Sequence, residues 1–389
     1  MKSFTFRQIC AFAAVLFATV SLSAQNDPLA DMMKKNGPSP QISASPAMQA
    51  KLVASQKEVA DNKYTFTVGY TEASTRPMSA LCGFIESAPV SAEAIKAQDD
   101  MNAKIIQKAE AQMKQQGIAV PKLHNSASSG GVGAGPSVSA TPSVYFGGRG
   151  TEGGYLPPVR DQGQCGSCWA FAACSAYETA FRKWYGWNRD INMSEQELLD
   201  CGKTYFLGIF AQDAGSCSGG YSDRALDYIK NYGGATESNR PYVAHDQGCA
   251  GVPKKFYAWC WGQFGADIQK IKDVVYGYGS VVTSIQAQGS FMDYKSGIIN
   301  YRASGHNHAV TIVGWNDAYQ SWIIRNSWGE SWGYRGYGYI RYDACNIGQT
   351  NRWIYPYNAG GAVSAAAGGV AEGPPMPLEE SPILKAARQ

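Results

Sequence analysis

One stretch of eight residues, QGQCGSCW at positions 162–169, constrains this chain more than any other. It places Cys168 at the start of a helical pattern of apolar residues, six positions after Gln162. The N-terminus of a helix favours an anion and so lowers the pKa of a thiol, and the thiolate is the reactive form. A glutamine side chain nearby can donate hydrogen bonds from its amide. The stretch therefore predicts a reactive cysteine with a hydrogen-bond donor beside it.

The run CGSCW at residues 165–169 resembles the local signature around the nucleophile of the papain family of cysteine peptidases. The resemblance implies a two-lobed α+β fold, with a helical left lobe, a β-barrel-like right lobe and the active site in the cleft between them. It also implies that Cys168 is the nucleophile. A disulfide role is the alternative for a cysteine of a secreted chain. Cys165 suits that role better, because the family pairs the first cysteine of the run and leaves the second free.

The predicted thiol needs a base that takes its proton and later protonates the leaving group. The chain has only four histidines. His124 lies in a linker-like region and His245 in a loop, so His306 and His308 remain. His308 opens an apolar strand directly before Ala-Val, where the papain family has its catalytic histidine. Its separation from Cys168 is 140 residues (308 − 168), within the ~130–150 typical of the family. We therefore expect His308 to be the base and His306 to be a loop residue.

Two further residues complete the predicted catalytic set. Asn326 begins the run NSWGESWG, which resembles the family's asparagine motif, and its amide would accept the imidazole N–H without adding charge. Trp328 in this run would shield that hydrogen bond from water and is also predicted to contact substrate. Gln162 would stabilise the oxyanion of acyl transfer together with the backbone N–H of Cys168. Taken alone, the run at 326–333 also fits a tight β-corner, and Gln162 an ordinary turn.

The run CSGGY at residues 217–221 resembles the family's substrate-binding strand. Gly219 and Gly220 let a peptide approach the backbone closely and pair with it as an added strand. The resemblance implies that Gly220 pairs with the substrate backbone and that Tyr221 lines the second specificity pocket. A glycine turn before a helix is the alternative interpretation. A looser alignment gives three further walls of that pocket: Ser284, Ala309 and Thr350.

The remaining cysteines are interpreted through the same resemblance. It implies two disulfides, Cys165 with Cys217 and Cys201 with Cys249. Cys174 falls on the buried face of the predicted helix and is expected to be a free thiol. Cys260 and Cys345 have no clear partner, and a bridge between them is the remaining expectation. Cys82 precedes the catalytic domain and is not expected to bridge to it.

Composition divides the chain into four parts. Residues 1–24 combine a basic start, a short apolar run and small residues, as a secretory signal peptide does. Residues 25–140 are predicted to be a propeptide and most of a Gly/Ser-rich linker, which runs from 126 to 143 and is where we expect activating cleavage. Residues 141–357 form the catalytic domain, and 358–389 a low-complexity tail expected to be disordered. A small adaptor or stalk is the alternative for 25–140, which lacks the Glu/Arg/Phe/Asn/Ile helical pattern common in propeptides of this family.

Helical patterns come first in the catalytic domain, and strand patterns follow. Helices are predicted at 168–185, after a capping box at 194–197, at 222–232 and at 267–276. Strands are predicted at 281–285, 297–301, 308–315, 322–325 and 337–342. Before this domain, residues 63–70 alternate like a strand and 92–116 have helical spacing. A helical half followed by a β half predicts an α+β domain of two lobes.

Charge and hydropathy exclude several classes of function. A net charge of +3 with 17% charged residues gives no basis for nucleic-acid binding. No apolar run approaches the ~20 residues of a membrane span. The signal-like start and ten cysteines predict an oxidising location. The chain is therefore expected to be secreted or otherwise extracytoplasmic: in the periplasm or outside a bacterium, or in a lysosome-like compartment or outside a eukaryotic cell.

Together these features predict a secreted, papain-like cysteine endopeptidase made as a zymogen. It would hydrolyse peptide bonds through a Cys168 thiolate, a His308 imidazolium and a thioester, with no cofactor and no metal. Its expected partners are peptide or protein substrates and its own propeptide as an inhibitor, and it is expected to be a monomer. An exopeptidase or transpeptidase would need a blocked cleft, for which the insertion at 203–216 is the visible candidate. A non-catalytic binding module is disfavoured because the whole catalytic set is retained.

Overall fold

The computed structural model describes residues 27–115, 141–147, 154–186, 189–206 and 209–357. Three predictions fall outside these described residues. They are the signal peptide at 1–24, the linker up to residue 140 and the tail at 358–389.

The described residues contain eight α-helices. They are α1 (Pro28–Asn36), α2 (Pro46–Asp61), α3 (Met78–Leu81), α4 (Ala92–Gln115), α5 (Cys168–Tyr185), α6 (Glu195–Cys201), α7 (Ser222–Tyr232) and α8 (Ile268–Tyr278). Short 3-10 helices lie at Glu72–Thr75, Gly289–Asp293 and Asp317–Tyr319. The bounds of α5 and α7 are those predicted. Helix α7 ends at Gly233, whose φ of +77° glycine adopts without strain. The predicted cap of α6 is present, since Ser194 Oγ accepts the N–H of Glu197 at 2.9 Å.

Fourteen strands lie in the described residues. They are β1 (Thr65–Val68), β2 (Val144–Phe146), β3 (Lys203–Phe206), β4 (Ile209–Asp213), β5 (Gly215–Ser216), β6 (Gly219–Gly220), β7 (Gly234–Ala235), β8 (Lys254–Phe264), β9 (Val281–Ile285), β10 (Tyr294–Ile299), β11 (His308–Asn316), β12 (Ser321–Arg325), β13 (Tyr337–Arg341) and β14 (Asn351–Tyr357). Ten form one sheet in the order β1-β10-β13-β12-β11-β9-β14-β8-β7, with β2 beside β11. Strands β3 and β4 form a separate hairpin within the insertion.

The five predicted strands correspond to β9 to β13, but β8 and β14 were not predicted. These two strands pair with each other in antiparallel register, and nearly all of their residues are buried. A strand buried on both faces has no alternation of polar and apolar residues, which is the signal that sequence reasoning uses.

Two large hydrophobic cores occupy the two lobes, and a smaller third cluster joins Leu29 of α1 to Tyr339 of β13. One core is built around the sheet and includes Ile312 and Trp332, and the other surrounds α5 and α7 and includes Trp169 and Leu226. Helix α5 packs against α7 and also against β11 and β14. Cys168, at the first turn of α5, therefore lies where the lobes meet, beside the start of β11. The predicted two-lobed α+β fold is confirmed.

Residues 27–115, here called the N-terminal segment, pack against both lobes. Strand β1 adds to the edge of the sheet through antiparallel pairing with β10. Helix α2 contacts the 3-10 helix Gly289–Asp293, and α4 lies along β8. At that contact the side-chain amides of Gln98 and Asn102 donate to the carbonyl of Trp261 at 3.3 and 2.8 Å. Helix α4 matches its predicted range to within one residue, whereas α1 and α2 were not predicted.

The structure contains the two disulfides expected from the family resemblance. Their S–S distances are 2.06 Å for Cys165 with Cys217 and 2.02 Å for Cys201 with Cys249. Cys82 and Cys174 are free thiols.

The expected bridge between Cys260 and Cys345 was wrong. Both are buried free thiols with different neighbours. Cys260 lies within β8 opposite Tyr355, whereas Cys345 follows β13 and donates its N–H to the carbonyl of Tyr301 at 2.9 Å. Cys260 is part of the sheet, whereas Cys345 lies outside it in the turns after β13, and the two thiols do not pair.

No helix among the described residues is long and apolar enough to cross a membrane. The same residues contain no cluster of three or more His, Cys, Asp or Glu side chains suited to a metal ion.

Candidate active site

Cys168 is held at the first turn of α5 with its side chain fully buried. Two backbone N–H groups point at its sulfur. The N–H of Ala309 lies 3.5 Å from Sγ and comes from β11, across the cleft. The N–H of Gly83 lies 3.4 Å from Sγ and comes from the N-terminal segment. The thiol is therefore enclosed by both lobes and by the N-terminal segment.

His308 directly precedes Ala309 on β11, whose N–H lies 3.5 Å from Cys168 Sγ, so this histidine lies on the wall of the cleft opposite Cys168. Its Nε2 lies 2.8 Å from Oδ1 of Asn326. The same Oδ1 accepts the backbone N–H of Ser327 at 2.8 Å, which identifies this atom as the acceptor. Nε2 of His308 must therefore donate. Nδ1 of the neutral ring is then the unprotonated nitrogen, and it is buried without a hydrogen-bond partner among the described residues.

Trp328 covers the hydrogen bond between His308 and Asn326. The Trp328 ring is fully buried, and its centroid lies 4.5 Å from that of the imidazole at an angle of 31°. The indole excludes water from the His308–Asn326 contact, and a hydrogen bond is stronger where water is excluded. The structure thus brings Trp328 to the place expected from the sequence.

Gln162 is fully buried, and its amide is fixed at both ends. Its Oε1 accepts the hydroxyl of Ser327 at 2.7 Å, so Nε2 must face the cleft. There Nε2 donates to the carbonyl of Cys165 at 2.9 Å and lies 3.1 and 3.2 Å from the carbonyls of Ala80 and Leu81. Two carbonyl oxygens of the N-terminal segment therefore lie within hydrogen-bond distance of the Gln162 amide, where the oxyanion is predicted to bind.

The N-terminal segment crosses the cleft as an added strand. The N–H of Gly220 donates to the carbonyl of Gly83 at 2.8 Å, and the N–H of Ile85 donates to the carbonyl of Gly220 at 2.9 Å. This is parallel pairing of Phe84 with Gly220. On the other wall, the N–H of Phe84 donates to the carbonyl of Asn307 at 3.0 Å. The backbone of Gly220 thus pairs with an extended segment of the same chain, and its pairing with a substrate stays a prediction.

The other predicted substrate-binding residues lie in different surroundings. Gly219 is buried at a φ of +127°, where an added Cβ would lie 2.9 Å from the Gly83 carbonyl. Tyr221 is half-buried, with its ring 3.6 Å from the Arg224 guanidinium carbon. Ala309 and Ser284 are paired between β11 and β9. For Thr350 the structure gives a contact of its carbonyl with Thr283 Oγ1 at 3.4 Å.

Three residues that contact the predicted site or the N-terminal segment were missed by sequence reasoning. Ser327, which orients Gln162, lies in the NSWG run and could have been found there. The hydroxyl of Tyr242 donates to the Gln162 carbonyl at 2.7 Å, and nothing in the local sequence indicates it. Arg352 is fully buried in β14 and contacts Glu86 of the N-terminal segment at 3.0 Å. A single buried arginine in an unpredicted strand gives no sequence signal.

Burial keeps both reactive groups neutral in this closed state. It raises the pKa of Cys168 to about 11, against the opposing effect of the N–H groups of Ala309 and Gly83. It lowers the pKa of His308 to about 4, opposed by the Asn326 amide and the Leu81 carbonyl. Desolvation disfavours the charged form of each group. With the N-terminal segment in place, the site therefore holds a thiol and a neutral imidazole.

Comparison with known proteins agrees with this geometry. The family model for papain family cysteine proteases matches residues 146–356. Cathepsin K of Mus musculus is 36% identical over 216 residues, 52% of this chain and 62% of that protein. The cathepsin L-like proteinase of Fasciola hepatica is 34% identical over 195 residues, 48% of this chain and 57% of that protein. The chain thus spans about 60% of the length of the curated relatives it matches.

Solved structures extend the likeness in fold over more of the chain. Procathepsin L2 proteinase from the larval midgut of Tenebrio molitor has a TM-score of 0.60 at 22% identity, covering 84% of this chain and 98% of that one. A recombinant stem bromelain precursor has a TM-score of 0.56 at 21% identity, covering 85% and 99%. At these identities the likeness concerns the fold. The family match covers more than half of the residues and includes the cysteine, histidine and asparagine described above, and the chain belongs to the papain family of cysteine proteases.

Proposed function

We propose that this chain is an extracytoplasmic cysteine endopeptidase made as a zymogen, with Cys168 as nucleophile and His308 as base. The observation that carries the proposal is the hydrogen bond from His308 Nε2 to Asn326, because it leaves Nδ1 as the basic nitrogen. The two disulfides fit an oxidising, extracytoplasmic compartment. We place the enzyme in the periplasm, a lysosome-like compartment or the exterior, acting as a monomer on peptide or protein substrates.

The proposed reaction begins when Cys168 Sγ bonds to the substrate carbonyl carbon and its proton passes to His308. The carbonyl oxygen becomes an anion, to which Nε2 of Gln162 donates a hydrogen bond. Collapse of this intermediate breaks the C–N bond, and His308 returns the proton to the leaving amine. Water then loses a proton to His308 and attacks the thioester carbon. The C–S bond breaks, the sulfur regains its proton and the acid is released.

The N-terminal segment is proposed to be the inhibitory propeptide. It buries Cys168, fills the space beside Gln162 and pairs with Gly220, all of which a substrate would need. It presents the N–H of Gly83 to the sulfur, so that a donor rather than an electrophilic carbon meets the nucleophile. Cleavage in the linker at 126–143 would release it. Two of the structural neighbours are themselves a procathepsin and a precursor.

The test compares wild type and Cys168→Ala, each expressed as the full chain and then incubated under mildly acidic, reducing conditions. Wild type should shorten to about residues 141–357 with some tail and hydrolyse a fluorogenic peptide blocked at both termini. A thiol-alkylating epoxide should stop this activity, and the Cys168→Ala chain should stay full-length and inactive.

Three outcomes would contradict parts of the proposal. Appreciable activity in Cys168→Ala would reject the nucleophile. Hydrolysis of unblocked peptides alone would indicate an exopeptidase. Full activity of the uncut wild-type chain would show that the N-terminal segment does not inhibit.

A further inference from the structure

Arg352 is a buried charge beside the cleft, and its ion-pair partner comes from the N-terminal segment. The side chain is 0% exposed, and its Nη2 lies 3.0 Å from Oε1 of Glu86. Its Nε and Nη1 have no hydrogen-bond partner within the described residues. A buried guanidinium that loses its counter-charge is strongly unfavourable. Glu86 therefore supplies the negative charge that compensates the buried guanidinium of Arg352.

Glu86 is held by two residues of the two-lobed domain. Besides the contact with Arg352, its Oε2 accepts the hydroxyl of Ser284 at 3.2 Å. The Ser284 hydroxyl also lies 2.9 Å from Nδ1 of His306. The Glu86 side chain remains 32% exposed, so the ion pair joins a partly exposed carboxylate to a fully buried guanidinium. In the proposed function this glutamate leaves with the N-terminal segment, and both of its partners then lose their acceptor.

The space around Arg352 lies directly against the peptide-binding strand. Phe84 pairs with Gly220, and its ring centroid lies 5.7 Å from the guanidinium carbon of Arg352. We call the space filled by the Phe84 ring and the Glu86 carboxylate the Arg352 pocket. A residue that replaces Phe84 opposite Gly220, with its side chain on the same face, enters this pocket.

The pocket is also close to the reacting sulfur. Ser284 is paired with Ala309 between β9 and β11, and the N–H of Ala309 points at Cys168 Sγ. Arg352 is paired with Val282 on the same strand β9, two residues before Ser284. A side chain bound at Ser284 and Arg352 therefore belongs to a peptide within reach of the nucleophile.

We propose that the Arg352 pocket binds an acidic side chain of the substrate, with glutamate preferred over aspartate, at the residue that pairs with Gly220. This inference rests on the proposed function. The volume now filled by the Phe84 ring suits the apolar stem of a glutamate, and the guanidinium and the Ser284 hydroxyl can bind its carboxylate as they bind Glu86. Charge-assisted hydrogen bonds in a buried site are stronger than neutral ones. Glu86 thus occupies in the zymogen the place that a substrate carboxylate takes in the processed enzyme.

The test uses wild-type protein that has been folded as the full chain and then processed. Four peptides, blocked at both termini and differing only at the residue expected to pair with Gly220, carry Glu, Asp, Gln or Leu there. We expect kcat/KM for the Glu peptide to exceed that for the Gln peptide about 10- to 100-fold, the range for a hydrogen bond to a charged group. Equal or faster hydrolysis of the Gln and Leu peptides would overturn the pocket's specificity while leaving the peptidase activity established.

A matched pair of variants assigns the effect to Arg352. Arg352→Gln should bring the Glu and Gln peptides to within about 3-fold of each other, a difference below that of one hydrogen bond to a charge. Arg302→Gln removes an exposed arginine, 78% accessible and paired with Asp343, and should retain the wild-type preference. Retention of the preference in a folded Arg352→Gln enzyme would overturn the proposal.

A binding measurement decides the inference even if the variant does not fold or no peptide is hydrolysed. A synthetic peptide of residues 78–90 is titrated calorimetrically into processed wild-type protein, alongside the same peptide with Glu86→Gln. Weaker binding of the Gln form by about 10-fold or more supports a carboxylate-binding pocket. Equal affinities reject it. Absence of hydrolysis for all four substrates would reject the proposed function instead, which keeps the two failures apart.

Discussion

The backbone N–H of Gly83 points at the sulfur of Cys168 across 3.4 Å. This contact depends on the absence of a side chain, because a Cβ on Gly83 would lie 1.8 Å from the carbonyl oxygen of Gly166. Gly166 lies in the turn that leads into the helix of the nucleophile. The N-terminal segment and the nucleophile turn therefore meet backbone to backbone, and the fit leaves no room for adjustment.

Gly83→Ala should weaken the binding of the N-terminal segment in the cleft. It should not change the processed enzyme, because Gly83 belongs to the segment that is proposed to be removed. The methyl group would collide with the Gly166 backbone, and overpacking of this kind costs about 1–3 kcal/mol. We expect peptide hydrolysis by the uncut chain to rise about 5- to 100-fold, measured before any shortening is visible on a gel.

Val53→Ala is the matched control for Gly83→Ala, because Val53 belongs to the same segment and is 64% exposed. It should remain as latent as wild type. A Gly83→Ala chain with wild-type latency would show that the close approach at Gly166 does not hold the segment in the cleft.

The reactivity of the Cys168 thiol should depend on pH differently before and after processing. Burial raises its pKa to about 11 in the closed state, so the thiol stays protonated through neutral pH and becomes a thiolate only as the pH approaches that value. After the N-terminal segment leaves, solvent and the imidazole should lower this pKa below the ordinary ~8.5.

Iodoacetamide labelling at a series of pH values, followed by peptide mass spectrometry, measures this pKa in the processed enzyme and tests whether the thiol of the uncut chain stays unreactive. In Cys168→Ala the labelled peptide should be missing, which identifies the signal against the other free thiols. Rapid labelling of Cys168 at pH 7 in the uncut chain would contradict the closed state described here.

The two neighbouring histidines should differ sharply in their effect on catalysis. His308 is oriented by Asn326, whereas His306 contacts Ser284 and Asn346 through its two ring nitrogens. His308→Ala should lower kcat about 10²- to 10⁴-fold, the usual contribution of a general acid–base residue. His306→Ala should lower it far less. Steady-state kinetics on the processed proteins would reject the assignment if the order were reversed.

The proposed catalytic residues could be chosen from the sequence because each sits in a short run whose sequence carries its own signal. Cys168 and Gln162 share one run, and Asn326 lies in another with Ser327, which could have been found there. The binding of the N-terminal segment in the cleft could not be predicted in the same way. Gly83 lies 85 residues before Cys168, and its role follows only from the path of the N-terminal segment.

The pair of Arg352 and Glu86 shows the limit of sequence reasoning more clearly. The two residues are 266 positions apart, and neither belongs to a recognisable motif. Arg352 lies in β14, a strand whose burial on both faces removes the alternation on which strand prediction depends. A buried ion pair between distant parts of the chain becomes visible only when the sheet is assembled.

Ser327 should act on catalysis only through Gln162. Its hydroxyl donates to Oε1 of Gln162 at 2.7 Å and so turns the amide N–H toward the cleft. Ser327→Ala should lower kcat about 2- to 10-fold with little change in KM, because one neutral hydrogen bond that orients the oxyanion donor is lost. Gln162→Ala removes the donor itself and should lower kcat about 10²- to 10³-fold.

The double variant of Ser327→Ala and Gln162→Ala is the decisive measurement. If Ser327 is a positioning residue, the double variant should be no slower than Gln162→Ala alone, since no amide remains to be oriented. Multiplicative losses in the double variant would mean that Ser327 contributes to turnover by another route, and a matching fall in thermal stability would identify that route as structural.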